Sequence, residues 1–165
     1  MISIGVRLGM RVIDNLNLKW EDLLGVQVSE RFIRIEKKTD KERILVMSTK
    51  LKEVLDIVYE AHASAPSTFI LSSQKTNGLK PMSVQSFNRI LKGIMKDYKV
   101  KYIGNCSSHL LRKSWVVGSI RKGFQDGDHL SLIKVSRLVG HANISTTLKY
   151  TNFETSQSFG LFELS

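Results

Sequence analysis

Cysteine and proline are nearly missing: the 165 residues include one cysteine, Cys106, and two prolines, Pro66 and Pro81. A single thiol makes no internal disulfide and no cysteine-rich zinc site, which fits a reducing, intracellular compartment. Few prolines beside 42% hydrophobic and 24% charged residues describe a chain that folds around a core, and exclude disorder as its main state. Long apolar runs are also missing: none approaches the roughly 18 residues a membrane-spanning helix needs. The N-terminus lacks the basic-then-apolar order of a signal peptide. The expectation is a soluble, cytoplasmic, single-domain protein with no membrane partner.

Acidic residues are scarce in one region only. Residues 1–74 carry 11 basic and 10 acidic groups, residues 75–150 carry 14 and 3, and residues 151–165 add only Glu154 and Glu163. The net charge of +10 is therefore regional. A folded surface this basic attracts polyanions, because its lysines and arginines replace counterions condensed on a phosphate backbone. Nucleic acid is the leading partner.

Apolar spacing sets the coarse organisation. Met10, Ile13 and Leu16 predict a short helix over Gly9 to Leu18. Phe32–Ile35 and Ile44–Met47 are β-rich runs on either side of a basic turn, which predicts a hairpin. Leu51, Val54, Leu55 and Val58 predict a helix ending near Ala63, before Pro66 forbids its continuation. Asn77-Gly78 marks a turn, and Ser83 is placed as the N-cap of a helix with Val84, Phe87, Ile90, Leu91, Ile94 and Met95 on its apolar face. A further helix should run from Ser107 or Ser108 to Lys122, with Gly123 as a left-handed cap. Two more are expected over Ser131–Val139, stopped by Gly140, and Ile144–Tyr150. The fold class is α+β, mainly helical, with a small antiparallel hairpin packed on a helical core.

Polar clusters remain once the core is assigned: Arg11 with Asp14 three residues on; the hairpin tip with Lys37, Lys38 and Lys41; His109 with Arg112; and His141 with Tyr150. His109 and Arg112 share one face of a helix and can reach the same anion. Read singly, each has an ordinary explanation as an ion-pair partner, a solvated face, a helix cap or a core aromatic. The four histidines include no helical pair at the i, i+4 spacing of a zinc hydrolase, and no metal or other cofactor is expected.

Taken in order, the segments LGMRVIDNLNLKWEDL, EKKTDKERILV, SSHLLRKSW and LVGHANISTTLKYTN resemble the tyrosine recombinase, or phage integrase, family over nearly the whole chain. In that family an arginine in a G-x-R context precedes L-x-W-x-D, matching Gly9-Met10-Arg11 and Leu18-Lys19-Trp20-Glu21-Asp22. The hairpin lysine matches Lys38, the H-x-x-R motif matches His109 and Arg112, and the L-G-H motif matches Val139-Gly140-His141. The family's nucleophile, nine residues beyond that histidine, falls on Tyr150. Departures include Lys113 where histidine is frequent, Trp115 in place of a smaller or phenylalanine-like residue, and Asp14 where glutamate is usual.

The resemblance implies an integrase-type catalytic domain acting on double-stranded DNA. Tyr150 would attack a phosphodiester to give a 3′-phosphotyrosyl bond, and rejoining would reverse the step. Arg11 and Arg112 would clamp the nonbridging oxygens, which forked guanidinium groups match better than ammonium groups. His109 would assist the tyrosine, and His141 would bind the phosphate or orient its neighbours. The proton for the departing 5′-oxygen would come from Lys38, with Lys41 the second choice. Asp14 would hold Arg11, while Lys37, Lys41 and Lys113 would contact DNA. Family members normally carry a separate N-terminal helical domain that clamps the other side of the DNA, and with ten residues before Arg11 the expectation for this sequence is the catalytic domain alone, whether as a fragment or as a truncated gene product. The segment 151–165 is read either as packing on its own domain or as docking on a neighbouring protomer of a tetramer assembled on DNA. A type IB topoisomerase and a noncatalytic basic DNA-binding module are the alternatives.

Overall fold

The computed structural model describes residues 2–62, 65–100 and 106–151. Within these it bears out the fold class, with seven α-helices and one two-stranded antiparallel sheet among the described residues. The chain divides into two compact units, residues Met1–Arg112 and Lys113–Ser165.

The first unit opens with α1 (Ile2–Leu8) and α2 (Val12–Leu16). This corrects the expected single helix from Gly9. Gly9 has φ +58°, a left-handed conformation glycine adopts without steric cost, so the chain turns there and helix resumes only after Arg11. The hairpin pairs β1 (Arg31–Ile35) with β2 (Glu42–Val46), in a register that sets Ile33 opposite Ile44 and Arg34 opposite Arg43. Strand alternation turns Phe32 and Leu45 inward and leaves Ile33, Ile35, Ile44 and Val46 exposed. α3 (Thr49–His62) follows; its predicted end at Ala63 lies outside the described residues.

Asn77 and Gly78 form the expected turn, both with positive φ. A Cβ at Gly78 would sit 2.8 Å from the Thr68 side chain, so the close approach reinforces the need for glycine. In α4 (Val84–Asp97) Ser83 is the N-cap, its hydroxyl accepting the Ser86 N–H at 3.1 Å. The unit's core has two clusters. One gathers Ile4, Leu8, Met10, Trp20, Phe32, Leu45, Leu51 and Leu55, and the other Leu16, Leu71, Phe87, Leu91, Cys106 and Leu111. Gly5 lets α1 approach Leu111, whose Cδ1 would stand 2.7 Å from a Cβ on that glycine.

α5 (His109–Gln125) begins in the first unit, and the division falls after Arg112. Gly123 does not cap it, contrary to expectation: the helix runs on to Gln125, and the left-handed residue is Gly127, φ +80°. Gly123 serves packing instead, because a Cβ there would lie 2.3 Å from Ser131 Cβ. The second unit continues with α6 (Ser131–Leu138) and α7 (Ile144–Thr151), separated by Gly140 at φ +67°. Val116, Ile120, Val135 and Val139 form its core, with Trp115, Leu132 and Tyr150 packed against it. The tail beyond Thr151 lies outside the described residues.

Candidate active site

Arg11 occupies the N-cap position of α2 in extended backbone, φ −66° and ψ 151°, so its side chain leaves the chain at the break between two helices. The carbonyls ending α1 have no helical partner and carry the negative end of the helix dipole. Two guanidiniums supply the missing donors. Arg43 donates to Leu8 O and Gly9 O, each at 3.2 Å, and Arg112 donates to the same Gly9 O at 3.2 Å across 103 residues of sequence. Both arginines are buried. The left-handed turn at Gly9 thus presents one carbonyl to β2 and α5 together.

Glu36, buried just after β1, lies between Arg11 and Arg43. One carboxylate oxygen accepts from Arg11 Nη1 and from the Thr39 hydroxyl at 2.9 Å, and the other stands 3.6 Å from Arg43 Nη1. Burial by itself would raise the Glu36 carboxyl, but the hydrogen bonds from Arg11 and Thr39 and the charges of Arg11 and Arg43 hold it below its ordinary value of 4.5. Burial first, and the nearby Arg112 charge second, push the Arg43 guanidinium down to about 10, so it remains a cation at neutral pH.

Asp14 corrects an expectation. The carboxylate on Arg11 is that of Glu36, whereas Asp14, also buried, accepts the Lys37 N–H at 2.9 Å. Lys37 Nζ donates to Asn17 Oδ1 at 2.7 Å, so the hairpin tip is fastened to α2 at two points. Lys38 and Lys41 are exposed on that tip. His109 is exposed at the first turn of α5, one turn before Arg112. The first unit therefore brings Arg11, Arg112 and the lysine hairpin onto one hydrogen-bonded framework.

The second unit holds His141, Tyr150 and the half-buried Lys113. The turn at Gly140 directs the His141 N–H back to Ser136 O at 3.1 Å, which closes α6. His141 Nδ1 is 2.8 Å from the hydroxyl of the fully buried Thr147, a contact that fixes the imidazole against α7. The Tyr150 ring stands edge-on to the imidazole, with centroids 5.3 Å apart at 76°. Asn143 Oδ1 accepts the Ser145 N–H at 2.9 Å and opens α7, the helix that carries Tyr150.

Sequence reasoning missed Glu36, Arg43 and Thr147. Strand alternation held a signal for the first two, since Phe32, Arg34 and Glu36 share one phase of β1, and Arg43, Leu45 and Met47 the inward phase of β2. Charged residues on an inward phase need partners.

The first unit thus has a short hairpin and buried arginines on one backbone carbonyl, and the second a histidine beside a tyrosine, the residue types that the sequence resemblance leads one to expect. The Phage integrase family model matches residues 1–157, and the chain belongs to that family. Tyrosine recombinase XerD of Listeria innocua serovar 6a is 30% identical over 158 residues, covering 92% of this chain and 48% of the relative. TnP I resolvase of Bacillus thuringiensis is 32% identical over 150 residues, covering 87% and 45%. The crystal structure of XerA recombinase superposes with a TM-score of 0.71 at 20% identity, covering 98% of this chain and 55% of that one. The chain thus spans about half the length of the curated relatives it matches.

Proposed function

We propose that this chain is the catalytic part of a site-specific DNA recombinase that cuts and rejoins strands through a 3′-phosphotyrosyl intermediate. The observation that carries the reading is the pair Arg11 and Arg112, drawn from distant positions onto one framework around Gly9 and Glu36. A phosphodiester under attack gains negative charge on its nonbridging oxygens, and fixed guanidiniums stabilise that charge without reorganising. Removing one such donor from an active site costs about 10²–10³ in rate.

In this reading the Tyr150 oxygen forms a bond to phosphorus as the bond to the 5′-oxygen breaks. The phenolic proton passes to His109, and Lys38 protonates the departing 5′-hydroxyl. An ordinary tyrosine has a pKa of about 10, so attack at neutral pH needs that base together with the positive field of the arginines. His141, with its Nδ1 on the Thr147 hydroxyl, hydrogen-bonds the phosphate or orients its neighbours. The 5′-hydroxyl reverses the step, so no water is consumed and no cofactor is involved. Lys37, Lys41 and Lys113 contact the DNA backbone, and four copies of the chain assemble on DNA to exchange strands. The cytoplasm, with access to the nucleoid, is the compartment this activity requires.

Supercoiled plasmid incubated with the chain at low salt and then denatured in detergent should carry covalently attached protein, and Tyr150→Phe should abolish the adduct. An adduct that persists in Tyr150→Phe overturns the nucleophile assignment. Salt-sensitive binding with no adduct from the unaltered chain favours a noncatalytic DNA-binding module. Relaxation without strand exchange between two plasmids favours a topoisomerase.

A further inference from the structure

Glu36 has no part in the chemistry assigned above, yet it touches Arg11, Thr39 and Arg43 at once. It stands where β1 gives way to the hairpin tip, immediately before Lys37 and Lys38. It is 6% exposed, and its two oxygens engage Arg11, Thr39 and Arg43, the last of which shares Gly9 O with Arg112. A carboxylate here works against the binding of a phosphate, since it removes positive charge from the place where the phosphate would sit. Its place among these cations calls for an effect other than attraction.

The geometry points to Glu36 as a positioning residue for strand cleavage, which fixes the Arg11 guanidinium through one nitrogen and ties it to the hairpin that carries Lys38. This rests on the recombinase reading. The fork explains how it works: a guanidinium has five N–H donors, so one held by Glu36 leaves the others aimed at a phosphate. The tether sets the clamp and the lysine hairpin in one register, because Glu36 is itself the root of the tip. Its backbone makes the tip's own bonds, with the Thr39 and Asp40 N–H groups donating to Glu36 O and the Glu36 N–H donating to Lys41 O. A misplacement of about 1 Å in such a constellation costs on the order of 10²-fold in rate.

The test measures single-turnover adduct formation on supercoiled plasmid, and plasmid affinity at low salt, for Glu36→Gln. Removing the carboxylate leaves two guanidiniums facing each other, so the paired variant Glu36→Gln with Arg43→Met, which also removes one buried cation, is measured alongside as the version expected to keep its fold. Adduct formation should slow about 10²-fold in both while plasmid affinity is kept or tightened. In an Arg11→Lys background, Glu36→Gln should add less than about threefold, because its effect runs through Arg11.

A folded paired variant that cleaves at the unaltered rate overturns the proposal, as does an undiminished effect of Glu36→Gln in the Arg11→Lys background. So does a loss of plasmid affinity parallel to the loss of cleavage. In the DNA-free chain, the Arg11 guanidinium protons should exchange faster with solvent in Glu36→Gln, and unchanged exchange overturns the contact itself. No adduct from the unaltered chain, with Arg11 exchange shifted as expected, places the failure in the recombinase reading and takes the positioning role with it.

Discussion

Gly123→Ala tests the packing that carries His141. Glycine within a helix normally costs about 0.8–1.0 kcal/mol relative to alanine, so on propensity alone the substitution should stabilise α5. The structure reverses that sign. The added Cβ would sit 2.3 Å from Ser131 Cβ and 2.9 Å from its hydroxyl, roughly 1.2 Å inside ordinary carbon contact. Ser131 cannot give way at low cost, being 3% exposed with its hydroxyl on Ile120 O at 3.3 Å. Overpacking of this kind costs about 1–3 kcal/mol, which cancels the propensity gain and leaves a net loss of up to about 2 kcal/mol and a Tm lowered by up to about 8 °C.

Gly118→Ala is the matched control, since no atom lies within 4 Å of its ideal Cβ; it should stabilise by about 0.5–1 kcal/mol. Thermal and urea unfolding of both, and of Gly123→Ala in a Ser131→Gly background, complete the cycle. Removing the Ser131 side chain should relieve the clash and yield a coupling of about 1–3 kcal/mol. Stabilisation by Gly123→Ala equal to that of Gly118→Ala would refute the close contact. Because α6 runs from Ser131 to the turn that presents His141, the clash should also slow adduct formation by Gly123→Ala.

Further outcomes follow from the site. Thr147→Val keeps the side chain's shape but removes the hydroxyl on His141 Nδ1, and should slow adduct formation about 10-fold, by analogy with lost orienting partners at metal-bound histidines. Thr147→Ser should stay within about threefold of the unaltered rate, and equal losses in the two would show that the hydroxyl is not what matters. Because the folded-state pKa of Glu36 is depressed, its carboxylate contributes stability that is present above its unfolded value and is lost as pH falls through the folded one. The stability gap between the unaltered chain and Glu36→Gln should therefore be full at pH 7 and shrink as pH falls below about 4.5. Urea midpoints at both ends of that range check it, and a gap that does not change with acid would place the stabilising contact elsewhere.

Most of the secondary structure could be read from the sequence because it is written in local spacing. The apolar face of α4 with Ser83 before it, the two β-rich runs around a basic turn, and Gly140 before His141 each need only neighbouring residues. What escaped depends on tertiary partners. Gly9 looks like any glycine at a helix start until the chain before it forms α1. Gly123 reads as a cap until Ser131 packs on it. Asp14 is the obvious mate of Arg11 by spacing, but Glu36 takes that place from across the hairpin, and a one-dimensional pattern does not distinguish them. Arg11, Arg112, His109, His141 and Tyr150 were singled out through ordered motifs, whereas Glu36, Arg43 and Thr147 make contacts that the motifs do not encode.

The junction of the arginine framework at a main-chain atom bears on how the protein would look to mutagenesis. Gly9 O receives both Arg43 and Arg112, and every one of the twenty amino acids retains that oxygen. An alanine scan would therefore score position 9 only for the discomfort of a left-handed turn, and would pass over the acceptor on which two cations depend. Replacing the amide between Gly9 and Met10 by an ester, whose carbonyl is a poorer acceptor, is the kind of change that would expose it. Maps of functional positions built from side-chain replacement will leave a blank at the centre of this site.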